Sequence, residues 1–511
     1  MSKRFYITTP IYYVNGAPHI GHAYTTIAAD VLARWKRLAG YEVFFLTGTD
    51  EHGQKVEKAA AEAGLDPQSF TDRVAADFRD MAVRMGASND DFIRTTEPRH
   101  RNACSVLWQR LVERGAIYLG EYQGWYAVRD EAFYTESELI AGPDGTRLAP
   151  SGAPVEWVRE PSYFFRLSAW QDRMLAFYAE NPDFILPISR RNELLSFVRT
   201  GLADLSISRA SFHWGIPVPG DPVHVMYVWV DALANYITAV GFPDEADPRW
   251  EFWPADLHLV GKEIARFHAL YWPALLMAAG LQPPKRIFAH GWWTVEGEKM
   301  SKSLGNVIDP RDLLARFGLD PVRYFLLREV PFGNDGDFSR RALITRMNVE
   351  LANDLGNLAQ RSLSLIARHC AAALPAPPVT PTEADNALLA AAAALPDVLA
   401  GLLERLAFSE ALDAVWKLVR AANVYIDHQA PWALRRTDPA RMAAVLRVLS
   451  DVLRVIATVL QPFMPGSMGR MLDQLGVPPA ARSLADLAVP LPAGTSLPPP
   501  QAVFPRFTEP A

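Results

Sequence analysis

The stretch from Phe5 to Gly53, FYITTPIYYVNGAPHIGHAYTTIAADVLARWKRLAGYEVFFLTGTDEHG, constrains the fold more than any other part of the chain. Phe5 to Thr9 is aromatic and β-branched, as a buried strand requires. NGAP makes a turn, and from His19 onward Ile27, Val31, Leu32 and Trp35 recur at helical spacing until Gly40. Val43 to Leu46 then begins a second strand. Strand, helix and strand in this order predict a βαβ unit with parallel strands. Its ligand edge is the loop after the first strand and the start of the helix. At that edge His19 and His22 stand three apart, so both rings share one face of the leading turn. They lie beside backbone N–H groups without helical partners and the positive end of the helix dipole. Gly21 between them lets a ligand approach closely, and the pattern predicts an anion site.

Composition narrows what else the chain can be. With 511 residues, half of them hydrophobic, it can bury several cores, and roughly two to four domains are expected. The formal charge of -6 and a pI near 6.0 leave no global cationic footprint, so nucleic acid has to bind a local patch on an acidic body. Cys104 and Cys370 form no spacing pattern and read as reduced core thiols. The N-terminus runs straight into the strand pattern without an apolar signal region. The longest apolar run, Ala269 to Leu281, is 13 residues and is interrupted by Pro273. These features predict a soluble, cytoplasmic protein with no membrane partner.

Residues 297 to 307, GEKMSKSLGNV, set Lys299 and Lys302 among serines and glycines. On composition alone this is a solvated turn. It is not the G-x-x-x-x-G-K-[S/T] phosphate loop, because Ser301 stands where the second glycine belongs. Its meaning comes from a partner. HIGH (His19-Ile20-Gly21-His22) after the first strand and KMSKS (Lys299 to Ser303), 280 positions on from 19 to 299, resemble the two signatures of class I aminoacyl-tRNA synthetases. Either word alone is common; the ordered pair is specific. The resemblance implies that His19, Gly21 and His22 meet ATP on one side while Lys299, Ser301 and Lys302 close over its phosphates. His19, His22, Lys299 and Lys302 are then the catalytic groups.

Over nearly the whole chain, from PIYYVNGAPHIGHAYT to APWAL and FPRF, the sequence resembles the methionyl-tRNA synthetase family. This implies methionine, ATP and initiator and elongator tRNA(Met) as substrates and partners. It puts Ile11, Tyr13 and Asp50 in the methionine pocket, with Asp50 on the α-ammonium. VWVDALANY contributes Trp229, Ala232, Leu233 and Tyr236, where Leu233 stands at a position that is proline in many relatives. GKEIARFHALYW contributes Ile264, Phe267, His268 and Trp272, and Gly261 and Glu263 match contacts to the ATP ribose. A thioether is polarizable and a weak acceptor, so aromatic walls from Trp229, Tyr236, Phe267 and Trp272 suit it, with a donor from Tyr13 or His268. From composition alone the same aromatics would be core. The segment from about Glu113 to Val223 is too short for the hydrolytic editing insertion of the isoleucine, valine and leucine enzymes.

Mg2+ is expected to travel with ATP, without a protein cage. Relatives often carry a cysteine zinc knuckle in the connective insertion. Residues 113–223 contain no cysteine and one histidine, His213, so no metal site and no structural zinc are expected. Packing through Trp125, Trp157, Tyr163 and Phe165 has to hold that insertion together.

The expected architecture is a Rossmann-like α/β nucleotide-binding fold with a parallel sheet, residues 1–112 and 224–285, split by the connective insertion at 113–223. Residues 286–345 form a stem-contact region with the KMSKS loop, and 346–511 an all-α anticodon-binding helix bundle with a C-terminal tail. Ala/Leu-rich periodicity from Met347, interrupted by the proline-rich ALPAPPVTPTEAD at 373–385, carries the bundle assignment. No dimerising module is appended, and a monomer is expected. Asn357 and Arg361, four apart on one helix face, and Trp432 after Pro431 resemble the family's anticodon contacts, although an indole is by default a core residue. Two rivals stand beside this assignment. A nucleotidylyltransferase of the same superfamily shares an H-x-G-H turn but needs no such bundle. A non-catalytic tRNA-binding relative would have lost a histidine or Lys302.

Overall fold

The computed structural model describes residues 3–142, 145–299 and 307–508. Its centre is a wholly parallel sheet. The first strand, Arg4–Thr8, pairs with Glu42–Asp50 on one side (Ile7 opposite Phe45) and with Leu257–Gly261 on the other (Ile7 opposite Leu257). Ile287–His290 and then Ile185–Leu186 extend the sheet outward, and Tyr12–Tyr13 and Asp91–Arg94 pair with Glu42–Asp50. Phe45, Leu46, Leu259 and Val260 are all fully buried, the unbroken apolar pattern of strands covered on both faces. The crossover helix Ile20–Leu38 stops at Ala39, and Gly40 turns the chain at φ 84, a left-handed conformation free of steric cost only for glycine.

Two expected boundaries move. Ile185–Leu186 lies inside the stretch expected as a separate insertion, yet it is the outermost strand of the main sheet. Ile287–His290 lies beyond the expected end of the nucleotide fold at residue 285. A two-residue strand has no period to read, and a short apolar run looks alike in strand or helix. The insertion is built on Ile117–Ala127 paired antiparallel with Glu156–Phe165. Trp125 meets Trp157 edge-on across that pair at 5.1 Å, Tyr163 meets Trp108 of the main body at 5.6 Å, and Phe165 is buried.

The sheet separates two cores. On one side the first helix packs through the helix Leu319–Arg328 into the bundle, and on the other the core is shared with the insertion. The bundle helices are Asn357–His369, Glu383–Glu404, Phe408–Gln429, Pro439–Leu460 and Pro465–Gln474. Glu383–Glu404 starts at a Thr382/Asp385 capping box and buries Leu388, Ala392, Leu395, Leu399 and Leu403 at helical spacing. By length and composition this helix could cross a membrane, but its buried stripe lies against Phe408–Gln429 and Pro439–Leu460. The tail packs back, with Asn348 donating to and accepting from the Phe507 backbone at 3.1 and 2.8 Å.

The units meet at Arg323, which is fully buried. Its guanidinium donates to Asp30 of the first helix at 2.6 Å and to the carbonyls of Met85, Pro462 and Phe463 at 2.8–3.0 Å.

Candidate active site

A cleft of about 700 Å³ opens at the carboxyl ends of the strands, where a parallel sheet presents its loops. On one side stands the histidine turn. His19 is the N-cap of the first helix: its Nδ1 accepts from the Gly21 N–H at 3.1 Å, while the His22 Nδ1 accepts from the His19 N–H at 3.1 Å. The Ile20 N–H donates to the Ile308 carbonyl at 3.1 Å. The backbone donors expected to be unpartnered are therefore satisfied within the protein. Accepting at Nδ1 places each ring's proton on Nε2. The rings stack at 3.8 Å, and burial, then the neighbouring His19, hold His22 well below the usual histidine range, so it stays neutral.

The aromatic wall lies opposite. Trp229 stacks on Phe267 at 3.8 Å with planes 6° apart. His268 donates from Nδ1 to the Ile264 carbonyl at 2.9 Å, which leaves Nε2 accepting from the Tyr236 hydroxyl at 2.7 Å; burial pushes His268 down to about 4. The Tyr13 hydroxyl donates to the His52 carbonyl at 3.0 Å. Both groups expected to supply a donor toward sulfur are thus engaged with the protein, because each is buried and must satisfy its own polar atoms. Ile11, Ala232, Leu233, Ile264 and Gly261 also line the cleft, whereas Trp272 does not. Trp272 is fully buried one layer behind, 6.2 Å from the Tyr236 ring. At Leu233 the helix Val228–Leu233 ends and Asn235–Thr238 restarts, so the chain breaks its helix here without proline.

Asp50 closes the floor, only 7% exposed, and its Oδ1 has no hydrogen-bond partner. Burial first, then Asp231, Glu131 and Glu51, push its carboxyl well above the usual range. The neighbouring Asp231 is the opposite case. His52 donates to it at 2.6 Å and His100 at 2.7 Å, and together they outweigh burial and hold it at about 2. Asp231 thereby pins the helix bearing Trp229 and Ala232 to the turn after Asp50. His100, Cys104 and Asp231 carry metal-ligating atoms close together, but the 2.7 Å His100–Asp231 separation is that of a hydrogen bond.

Glu263 accepts from the Trp292 indole N–H at 2.6 Å, and a β-carbon on Gly261 would lie 2.5 Å from the Glu263 carboxylate. Lys299 ends the short hairpin of Trp293–Val295 and Glu298–Lys299, opposite Thr294. Ser301 and Lys302 lie outside the described residues, as does the Lys299 side chain. Beyond them Val307 lines the cleft, and Ile308 is the residue that accepts from Ile20. The first motif is therefore tied by a backbone hydrogen bond to the segment that follows the second.

In the bundle, Asn357 and Arg361 open Asn357–His369. The Arg361 guanidinium sits 5.0 Å over the Trp432 ring and pairs with Asp427 at 2.6 Å, and Trp432 is 41% exposed. Trp432 is a surface residue rather than core. Sequence reasoning missed Lys55, Arg129, Glu131, His290 and Trp292, all of which line the cleft. None sits in a periodic or motif-like context; only Trp292, close before the KMSKS stretch, had a neighbouring cue.

The chain matches the family described as tRNA synthetases class I (M) over residues 5–363, and the anticodon binding domain of methionyl tRNA ligase over 375–511. It is 56% identical to the methionine–tRNA ligase of Brucella suis biovar 1 over 508 residues, 99% of this chain and 98% of that one. It is equally 56% identical to the Rickettsia bellii methionine–tRNA ligase over 518 residues, covering both chains fully. Mycobacterium tuberculosis methionyl-tRNA synthetase in complex with methionyl-adenylate superposes with a TM-score of 0.97 at 53% identity, covering 99% of this chain and 100% of that one.

Proposed function

The chain belongs to the methionyl-tRNA synthetase family of class I synthetases, and from that premise we propose how its own cleft runs the reaction. It is an ATP-dependent methionine–tRNA ligase. It joins the methionine carboxylate to the α-phosphorus of ATP, releasing pyrophosphate, and then transfers methionyl from the adenylate to the 3′ end of tRNA. Neither a nucleotidylyltransferase nor a non-catalytic relative accounts for this family membership.

The observation that carries the assignment of roles is Asp50: a buried carboxylate with an unpartnered oxygen in the same cleft as the paired imidazoles and the stacked indole. The methionine ammonium supplies its missing partner, and the thioether lies along Trp229 and Phe267. The methionine carboxylate is already ionised at neutral pH, so attack needs neither a general base nor an enzyme nucleophile. Catalysis is positioning plus stabilisation of charge on phosphorus and pyrophosphate. His19 and His22 donate N–H to the phosphates, His22 as the neutral ring that burial keeps it. Gly261 and Glu263 take the ribose, Glu263 exchanging the Trp292 indole for a ribose hydroxyl. Lys302, with Lys299 and Ser301, neutralises charge on the phosphates, and the triphosphate would bring any magnesium with it. Trp432 stacks an anticodon base while Asn357 and Arg361 read base edges. Two unpaired cysteines fit a reducing, cytoplasmic setting.

ATP–pyrophosphate exchange with each of the twenty amino acids is the test. Methionine alone should support it, and Lys302→Ala should slow adenylate formation by about 10²-fold or more with methionine KM nearly unchanged. Exchange driven equally by another amino acid would overturn the pocket assignment, and a raised KM with kcat intact would overturn that of the loop.

A further inference from the structure

The amino-acid end of the cleft holds a second carboxylate. Glu131 lies in the turn between Ile117–Ala127 and Ala132–Tyr134 of the insertion and is only 5% exposed. Its backbone is left-handed, φ 47, a conformation that a residue with a β-carbon holds only when its surroundings enforce it. The Tyr227 hydroxyl donates to its carbonyl at 2.6 Å, and the Lys55 backbone N–H donates to its carboxylate at 3.2 Å. The carboxylate thus crosses from the insertion to the start of the helix Gln54–Glu62. Gly53, at φ 109, makes the room: a β-carbon there would lie 2.5 Å from Glu131 Oε1 and 2.7 Å from the Tyr13 hydroxyl. Glu131 and Tyr13 are therefore immediate neighbours, and both line the cleft with Asp50, whose carboxyl Glu131 is near enough to push up. The two other buried carboxylates nearby are both held by cationic or donor side chains, Glu51 by Arg94 and Asp231 by His52 and His100. Among the described residues Asp50 and Glu131 form no salt bridge.

We propose that Glu131 is the second carboxylate of the α-ammonium subsite, so that the substrate cation is held between Asp50 of the main sheet and Glu131 of the insertion; this rests on the cleft being a methionine site. Two buried carboxylates without a cation repel one another and are poorly solvated, and one entering positive charge relieves both costs. Because Glu131 reaches the subsite only when the insertion is seated against Gly53, amino-acid binding and docking of the insertion are coupled. The groups facing Glu131 are Tyr13 and Asp50 from the main sheet, Lys55 from the following helix, Tyr126 and Arg209 within the insertion, and Tyr227 beyond it. Burial outweighs them and pushes Glu131 up to about 7. An ammonium favours the ionised form, so binding near neutral pH releases a proton from this group.

The test changes protein and ligand together. Methionine and 4-(methylthio)butanoate, which keeps the thioether and carboxylate but lacks the ammonium, are titrated calorimetrically into wild type, E131Q and E131D. E131Q keeps an oxygen for the Lys55 N–H and removes only the charge. Methionine affinity should fall about tenfold in E131Q and be largely restored in E131D, with the desamino ligand binding wild type and E131Q equally. Protons released on methionine binding at about pH 7, read from buffers of differing ionisation heat, should be fewer in E131Q, which leaves only the share of the raised Asp50 carboxyl. Equal losses for both ligands would reduce Glu131 to a helix cap and overturn the proposal, as would unchanged methionine affinity in E131Q. Proton release is measured on wild type itself, so its absence there overturns the proposal even if E131Q does not fold. Failure of the wild type to bind methionine at all would instead remove the methionine assignment of the cleft.

Discussion

Asp30 and Asp50 belong to the same βαβ unit and are both buried, yet their surroundings are opposite. Asp30, on the first helix, accepts from Arg323, Arg34 and Ser88. Burial would raise its carboxyl, but Arg323 and Arg34 outweigh that and hold it below the usual range. Asp50, at the end of the next strand, has a bare oxygen and three carboxylates around it, and is pushed well up. A buried charge costs several kcal/mol unless paired, so the fully paired aspartate marks a joint and the unpaired one is where the proposed ammonium would complete the site. The difference separates what holds the molecule together from what it binds with.

Removing Arg323 tests the joint and is the largest expected effect. Arg323→Ala leaves Asp30 and three carbonyls without their donor, and should cost about 3–5 kcal/mol in denaturant-induced unfolding. Methionine binding by the folded fraction should be unchanged. A loss below about 1 kcal/mol would show that the joint relaxes and that the contrast with Asp50 is shallow.

Asp50→Asn should weaken methionine binding by about 2–4 kcal/mol while leaving the melting temperature unchanged or raised, since it removes an unpaired buried carboxylate. Calorimetric titration and thermal melting read the two quantities separately. A fall in stability comparable to that of Arg323→Ala would mean Asp50 has a structural partner, and the comparison would collapse.

Trp432 extends the contrast to the bundle, where an exposed indole and Arg361 form a surface without a core role. Trp432→Ala should reduce tRNA charging by about 1–3 kcal/mol and leave ATP–pyrophosphate exchange near normal. Loss of both activities together with a lowered melting temperature would assign the indole to packing.

The smallest effect is in pH. Asp30 contributes stability that is complete above its usual value of 3.8 and is lost as pH falls through its lowered one. Glu131, raised from 4.5 to about 7, has the opposite sign: the folded protein holds a proton the unfolded chain has released, so its contribution declines as pH rises between those values. Methionine should reverse that decline, and its stabilisation in melting curves should grow between about pH 5 and pH 8. A constant increment would remove Glu131 from the subsite.

The βαβ unit was legible because strand and helix periods are local and the first motif sits at the start of its helix. Motif logic also reached both sides of the cleft, from His19 to His268, since the resemblance supplied positions that no period reveals. Spacing did not announce the ligand-free partners of Tyr13 and His268, which hydrogen-bond His52, Ile264 and Tyr236. It failed at Ile185–Leu186, too short to have a period, and at Trp272, which the π-helical Phe267–Tyr271 leaves behind the wall.

The order of elements, the helical texture of the bundle, the paired motifs and the aromatic set around a thioether were all written in residue type and spacing, because propensity, periodicity and motif are properties of neighbours along the chain. The state of each buried charge was not. Asp30, Asp50, Glu131 and Asp231 are the same chemical group four times over, and nothing adjacent to them in sequence says that the first and last are paired while the other two await a cation. That was decided by residues brought in from far along the chain, Arg323 beside Asp30, His52 and His100 beside Asp231, and Gly53 beneath Glu131. Desolvation and Coulomb energy depend on distances through space, and only the folded chain sets those distances.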